Sequence, residues 1–100
     1  MKSYILGSGV EFDLASIWDY IAQDDMDAAD RWVSKLYDAF ELIANNPGIG
    51  HSQRDLTLHP VLFWPVEAYL IIYRVQADLM EVVAVTQGSR EIPSFLRGRS

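Results

Sequence analysis

The stretch Tyr69-Leu70-Ile71-Ile72-Tyr73-Arg74-Val75 decides the fold of this chain. Its residues are mostly aromatic or aliphatic, and such a nearly continuous apolar run predicts a central β-strand. Gln76-Ala77-Asp78 follows as a turn, and residues 80–86, with three valines, predict a further strand. Strands joined by so tight a link are expected to pair antiparallel.

Residues 61–66 form a shorter apolar stretch on the N-terminal side of this segment. The stretch follows Pro60 and contains Pro65, a residue that has no backbone N–H to donate. We therefore expect a strand at the edge of the sheet, or one with a bulge. With the two strands that follow, it predicts an antiparallel meander.

Two amphipathic helices are predicted before these strands, because apolar residues recur at helical spacing. The first stripe consists of Val10, Leu14, Ile17, Trp18 and Ile21, and the second of Ala29, Trp32, Val33, Leu36, Phe40 and Ile43. Ser8 and Glu11 have the spacing of a capping box for the first helix, which is expected to run to about Gln23. The acidic run 24–27 supplies N-cap oxygens for the second helix, and Asn45-Asn46-Pro47-Gly48 ends it. The two helices form an αα-hairpin.

The whole chain of 100 residues is predicted to be a single domain, residues 1–100. A short strand over residues 2–6 precedes the helix hairpin, and a short C-terminal helix or tail around residues 92–96 follows the meander. The expected fold class is α+β, with a small antiparallel sheet covered on one face by the helix hairpin.

Composition excludes several classes of protein. Half of the residues are hydrophobic and 22% are charged, as in ordinary globular domains. The absence of cysteine excludes disulfides, thiolate metal sites and a cysteine nucleophile, and two histidines are too few for a convincing metal site. No cofactor is expected. No apolar run approaches the ~20 residues of a membrane span, and no signal peptide is visible, so a cytoplasmic location is expected.

The net charge of −6 argues against general binding to nucleic acid, which requires a basic surface. The charge is unevenly distributed. Residues 1–50 contain three basic and nine acidic residues, whereas residues 51–100 contain five of each. A local basic patch in the second half is compatible with these numbers.

The candidate chemical motifs are weak. Gly48-Ile49-Gly50 follows a helix and lacks the lysine–hydroxyl pair of a phosphate loop, so it is interpreted as a loop. His51 and His59 titrate near neutrality, but no nucleophile or paired carboxylate accompanies them, and both are expected at the surface. Trp18 and Trp32 belong to the apolar helix stripes. Trp64 lies in the predicted edge strand, where it is either half-buried on the sheet or available to a partner peptide.

The order of several segments resembles the ParE-type branch of the ParE/RelE toxin superfamily. The segments that carry the resemblance are residues 13–22, residues 28–33, Asn46-Pro47-Gly48-Ile49-Gly50, Arg54-Asp55-Leu56, residues 69–74 and residues 81–91. They extend over nearly the whole chain. The resemblance implies a toxin of a type II toxin–antitoxin (plasmid stabilisation) module that is neutralised by a cognate antitoxin.

The superfamily implies two modes of action. ParE-type members inhibit DNA gyrase by binding it, whereas RelE-type members cleave messenger RNA on the ribosome. Cleavage through the 2′-hydroxyl needs a base, an acid and cationic stabilisation. The only lysines, Lys2 and Lys35, lie outside the last three strands, and the C-terminal segment offers Phe95 where a tyrosine is usual. We therefore expect a non-enzymatic gyrase inhibitor.

Two alternatives remain open at this point. One is a RelE-like endoribonuclease. The other is a degenerate member that only binds its antitoxin, because Gln87 stands where many relatives have a histidine before Gly-x-Arg.

Site residues are predicted on two surfaces. The cations of the second half are expected to bind the target, with Arg90 and the tail as the centre. These cations are Arg54, Arg74, Arg90, Arg97 and Arg99. The edge strand, with Val61, Phe63 and Trp64, and the groove beside the helix hairpin are expected to bind an antitoxin segment as helix and extended strand.

Overall fold

The computed structural model describes residues 4–52 and 60–88. In this part of the chain the elements are β1 (Tyr4–Leu6), α1 (Val10–Ala22), α2 (Met26–Asn45), a 3₁₀ turn (Pro47–Ile49), β2 (Leu62–Val66), β3 (Tyr69–Gln76) and β4 (Leu79–Gln87). This order confirms the predicted strand, helix hairpin and three strands. The predicted C-terminal helix or tail lies outside the described residues.

The four strands form one sheet in the order β1-β4-β3-β2. β2, β3 and β4 pair antiparallel, so the predicted meander is confirmed, and β2 lies at an edge as its proline indicated. β1, however, pairs parallel to β4, with Ile5 opposite Glu81. The predicted antiparallel sheet is therefore a mixed one, in which the meander is antiparallel and β1 is not. The helix hairpin carries the chain across one face of the sheet, and this crossover sets the direction of β1 relative to β4.

A bulge in β4 adjusts the pattern of buried side chains. Ile72 pairs with Ala84, but the next residue, Tyr73, pairs with Val82, so Val83 is an extra residue. An extra residue reverses the alternation of faces beyond it. As a result Val82 before the bulge and Val85 after it both pack into the core beneath the helices.

The main core lies between the helix hairpin and one face of the sheet. Its fully buried members include Val10, Leu36, Phe40, Ile43, Ile71, Tyr73 and Val82. A smaller buried cluster contains Val61, Phe63, Ile72 and Ala84. Because Ile72 lies between the core residues Ile71 and Tyr73 on β3, this second cluster is on the opposite face of the sheet.

The two helices begin in different ways. Asp25 is the N-cap of α2, and its carboxylate accepts hydrogen bonds from the amides of Asp27 and Ala28, as the acidic run predicted. The predicted capping box of α1 was wrong. Gly9 is the N-cap and no side chain caps the helix, because α1 begins one residue later than a Ser8 cap requires.

No helix in the described part of the chain is both long enough and apolar enough to cross a bilayer.

Candidate functional site

The first candidate surface is the edge strand β2, which contains the three residues predicted to bind an antitoxin. Trp64 is half-buried and packs against the main core on the helix side of the sheet. Phe63 has no exposed surface and Val61 is 7% exposed, and both belong to the cluster on the opposite face. Of the three predicted contacts, Trp64 is therefore the one that offers surface to a partner in this structure.

The outer edge of β2 is already partly paired. The amide of His51 donates to the carbonyl of Phe63 at 2.9 Å, and the amide of Phe63 donates to the carbonyl of His51 at 2.8 Å. Alternate residues of an edge strand direct their backbone groups outward, so the next outward position is Pro65, which has no N–H. A partner strand thus finds few free donors along this edge.

A buried tyrosine holds the loop that brings His51 to β2. The Tyr73 hydroxyl donates to the carbonyl of Pro47 and accepts from the amide of Gly50, both at 2.8 Å. Burial raises the pKa of the Tyr73 hydroxyl, while the hydrogen bond from Gly50 acts in the opposite direction. The hydroxyl is therefore a structural anchor that stays protonated at neutral pH.

The second candidate surface is an open recess on α2, lined by Ala28, Arg31, Trp32 and Lys35. Trp32 is half-buried, and its ring packs edge-on against Tyr69 of β3 with centroids 5.1 Å apart. The Lys35 ammonium lies 4.8 Å from the centroid of the Trp32 ring. The recess therefore combines two cations with an aromatic wall.

The same recess is linked to the β2–β3 turn by an ion pair between Lys35 and Glu67. Both side chains are more than half exposed, at 51% and 63%. Sequence reasoning assigned Trp32 to the core and missed this surface. The available signal was the pair of cations four residues apart, Arg31 and Lys35, which flank Trp32 on one helix.

The predicted target-binding cations are only partly described. Arg74 is exposed on β3, and its Nε donates to Glu81 of β4 at 2.7 Å. Arg54, Arg90, Arg97 and Arg99 lie outside the described residues. Their role in target binding therefore stays a prediction.

A buried carboxylate joins α1 to the sheet just beyond the bulge. Asp13 is 8% exposed, and its Oδ2 accepts a hydrogen bond of 3.0 Å from the amide of Val85. Asp13 lies beside Leu14 and Ile17 on the buried side of α1. An acidic residue within an apolar helix stripe was the sequence signal for this contact.

One of the two histidines lies within the described residues. His51 is exposed, as predicted for both histidines, and His59 lies outside the described residues. In residues 4–52 and 60–88, no three histidine, aspartate or glutamate side chains are grouped so as to hold a metal ion.

A helix hairpin packed on one face of a mixed β1-β4-β3-β2 sheet defines a small α+β domain, of the kind predicted from the resemblance to ParE-type toxins. The family model described as "ParE toxin of type II toxin-antitoxin system, parDE" matches residues 4–92. The chain belongs to this family, which confirms the resemblance.

Solved structures show the same fold. One chain of a structure titled "Chromosomal ParDE TA system from P. aeruginosa" superposes with a TM-score of 0.73. Its sequence is 17% identical, and the match covers 87% of this chain and 96% of that chain. A search of curated proteins by sequence finds no match.

Proposed function

We propose that this chain is the toxin of a type II toxin–antitoxin pair, which inhibits DNA gyrase by binding it and is neutralised by a cognate antitoxin. The observation that carries the proposal is the match of the ParE toxin family model to residues 4–92, which include every described helix and strand. Because gyrase acts on DNA in the cytoplasm, the toxin acts there as well.

Inhibition by binding, without catalysis, is supported by the charge of the molecule. The chain has fourteen acidic and eight basic side chains, which gives a net charge of −6. Such a surface repels the phosphates of a messenger RNA. Burial raises the pKa of the Tyr69 and Tyr73 hydroxyls, so neither is suited to act as a general base near neutral pH. The chain needs no cofactor for this function.

The two partners are proposed to bind different surfaces. Arg90 and the tail to Arg99, together with Arg54 and Arg74, would contact gyrase, because a guanidinium binds a carboxylate through two parallel hydrogen bonds. The antitoxin would contact the β2 edge through Trp64, as a helix and an extended segment that runs beside the buried residues Val61 and Phe63. Pairing of Phe63 with His51 limits backbone pairing there and favours side-chain contact.

Two assays on the purified chain test the mode of action. In the first, gyrase supercoils a relaxed plasmid in the presence of increasing toxin, and we expect supercoiling to fall and cleaved DNA to accumulate. Addition of the product of the neighbouring reading frame should restore supercoiling. In the second assay, translating ribosomes are supplied with a messenger RNA, which we expect to stay intact.

The opposite result identifies the alternatives. Cleaved messenger RNA with unaffected gyrase would establish a RelE-like endoribonuclease. Binding of the antitoxin without an effect in either assay would establish a degenerate member.

The proposed antitoxin surface has its own test. Trp64→Ala should weaken antitoxin binding, whereas Tyr20→Ala, which removes an exposed aromatic ring from α1, should leave the binding unchanged. Co-expression should raise the soluble yield of the toxin, and the pair should co-purify. A wild-type toxin that purifies well alone and has no affinity for its neighbour's product would contradict the proposal.

A further inference from the structure

The recess on α2 is a cationic site on the mostly acidic surface that residues 4–52 and 60–88 form. The described residues contain three basic side chains, Arg31, Lys35 and Arg74, against twelve acidic ones. Arg74 is paired with Glu81 on the sheet. Arg31 and Lys35 lie one turn apart on α2 and line the same recess. A partner that carries negative charge is therefore attracted to this recess and repelled by most of the remaining described surface.

The two cations of the recess differ in the contacts that their side chains make. Lys35 contacts both the Trp32 ring and the Glu67 carboxylate. Arg31 is exposed, and in residues 4–52 and 60–88 it forms no ion pair or side-chain hydrogen bond. Within this part of the chain nothing engages its guanidinium fork, which can bind a carboxylate from a partner, and Ala28 and Trp32 provide an apolar wall for the carbon chain of that residue.

Glu67, the partner of Lys35, lies in the tight turn between β2 and β3. It occupies the β2–β3 turn with a φ of 54°, in the left-handed region that favours glycine or asparagine. The ion pair that it forms is largely exposed, and exposed pairs contribute little to stability. An incoming carboxylate can therefore replace Glu67 at Lys35 at small cost.

We propose that the recess formed by Ala28, Arg31, Trp32 and Lys35 binds an acidic side chain of the antitoxin, and that Glu67 occupies part of this site in the free toxin. The inference rests on the proposed function, because it assumes an antitoxin. It specifies one contact between toxin and antitoxin. Arg31 takes the carboxylate directly, Lys35 exchanges Glu67 for it, and Trp32 packs along its aliphatic part.

Titration calorimetry of the purified toxin with the product of the neighbouring reading frame tests the proposal. Arg31→Ala should weaken binding about fivefold to tenfold, and Arg31→Lys should weaken it less, since charge is kept but the fork is lost. Glu67→Gln should tighten binding about twofold, because the competing carboxylate is removed. The loss caused by Arg31→Ala should shrink when salt is raised from about 50 to about 300 mM, because salt screens exposed charges.

The matched control is Glu41→Gln, which removes an exposed charge from the same helix ten residues away and should change the affinity less than twofold. Melting temperatures of all variants report whether α2 stays folded. The acidic residues of the antitoxin are then replaced one at a time, and each variant is titrated against wild-type toxin and against Arg31→Ala toxin. We expect one antitoxin residue whose replacement weakens binding to the wild-type toxin but not to the Arg31→Ala toxin.

Each negative outcome has a distinct meaning. If the wild-type toxin binds the antitoxin and Arg31→Ala binds it with the same affinity, the inference is overturned and the proposed function is left intact. Loss of gyrase inhibition in Arg31→Ala with unchanged antitoxin affinity also overturns it, because the recess would then bind the target. Absence of any binding by the wild-type toxin overturns both proposals.

Discussion

The hydroxyl of Tyr73 on β3 lies 2.8 Å from the amide nitrogen of Gly50, 23 residues earlier in the chain. The same hydroxyl donates to the carbonyl of Pro47 at 2.8 Å. A single buried side chain therefore satisfies both ends of the turn that follows α2 and leads to His51. The His51 bridge to Phe63 in turn closes part of the β2 edge. The availability of that edge to a partner thus depends on the Tyr73 anchor.

We predict that Tyr73→Phe lowers the free energy of unfolding by about 1–3 kcal/mol, because the Gly50 amide and the Pro47 carbonyl lose their partner. Urea denaturation measures the change, and Tyr20→Phe, at an exposed position, should have no effect. The folded-state pKa of Tyr73 is raised, so its contribution is complete below the unfolded pKa of 10.0 and is lost as pH rises through the folded pKa. Stability should therefore fall above about pH 10, and less steeply in Tyr73→Phe. Identical stability of the two proteins at pH 7 would show that the anchor is unimportant.

The two glycines of the Pro47–Gly50 turn provide a matched pair of substitutions. A Cβ at position 50 would overlap the Tyr73 hydroxyl oxygen, whereas a Cβ at position 48 would meet nothing within 4 Å. We expect Gly50→Ala to destabilise the protein by about 1–3 kcal/mol through overpacking. Gly48→Ala should stabilise it by about 0.5 kcal/mol, because alanine restricts the unfolded chain. Thermal unfolding compares the two, and equal melting temperatures would contradict the described packing.

The hydrogen bond from the Val85 amide to Asp13 predicts a large effect on α1. Asp13→Ala should lower the free energy of unfolding by about 2–3 kcal/mol, because it leaves a buried amide without its acceptor. Asp13→Asn keeps an acceptor oxygen and should cost less. Asp19→Asn, at an exposed position of the same helix, is the control and should change stability by less than about 0.5 kcal/mol. A loss in Asp19→Asn as large as that in Asp13→Ala would exclude a specific role for the contact.

The turn between β3 and β4 stores backbone strain that substitution can relieve. Ala77 and Asp78 have φ values of 49° and 68°, as in the type I′ hairpin turn that favours Asn-Gly. Ala77→Asn or Ala77→Gly should therefore raise stability by about 1 kcal/mol. Ala68→Gly, at a turn position that lacks a positive φ, should instead lower stability by about 0.5 kcal/mol through chain entropy. Chemical denaturation of the three variants measures whether the free energy of unfolding rises at position 77 and falls at position 68.

The final prediction concerns toxicity. Arg90→Ala, or deletion from Arg97 onward, should weaken growth inhibition about tenfold, because the loss of one charged hydrogen-bonding contact with the target costs about 1.5–3 kcal/mol. The affinity for the antitoxin should change less than twofold. Arg90→Lys keeps the charge but loses the fork and should be intermediate. Growth arrest, melting temperature and antitoxin affinity are measured on the same variants. A joint fall in melting temperature and antitoxin affinity would indicate a structural role for Arg90. Unchanged toxicity in all variants would instead make the helix hairpin the candidate effector surface.

Local features of the sequence were sufficient for the elements and much of the core. The helical spacing of Leu14, Leu36 and Phe40 predicted which helix faces are buried, and all three are buried. Pro65 predicted an edge position for β2, and the acidic run predicted the Asp25 cap. These features follow from backbone preferences and from the period of burial, which depend on neighbours within a few residues of each other.

The tertiary structure alone decided which distant groups meet. The parallel pairing of β1 with β4, the extra residue Val83 and the contact of Asp13 with Val85, 72 residues apart, depend on the path of the helix hairpin across the sheet. The fold also brings Glu67 of the β2–β3 turn to Lys35, 32 residues earlier in the chain, beside the recess on α2. The backbone preferences of individual residues are compatible with many strand registers and many chain paths across the sheet. The observed register and path are selected because they bury the apolar faces of both helices on one sheet at the same time.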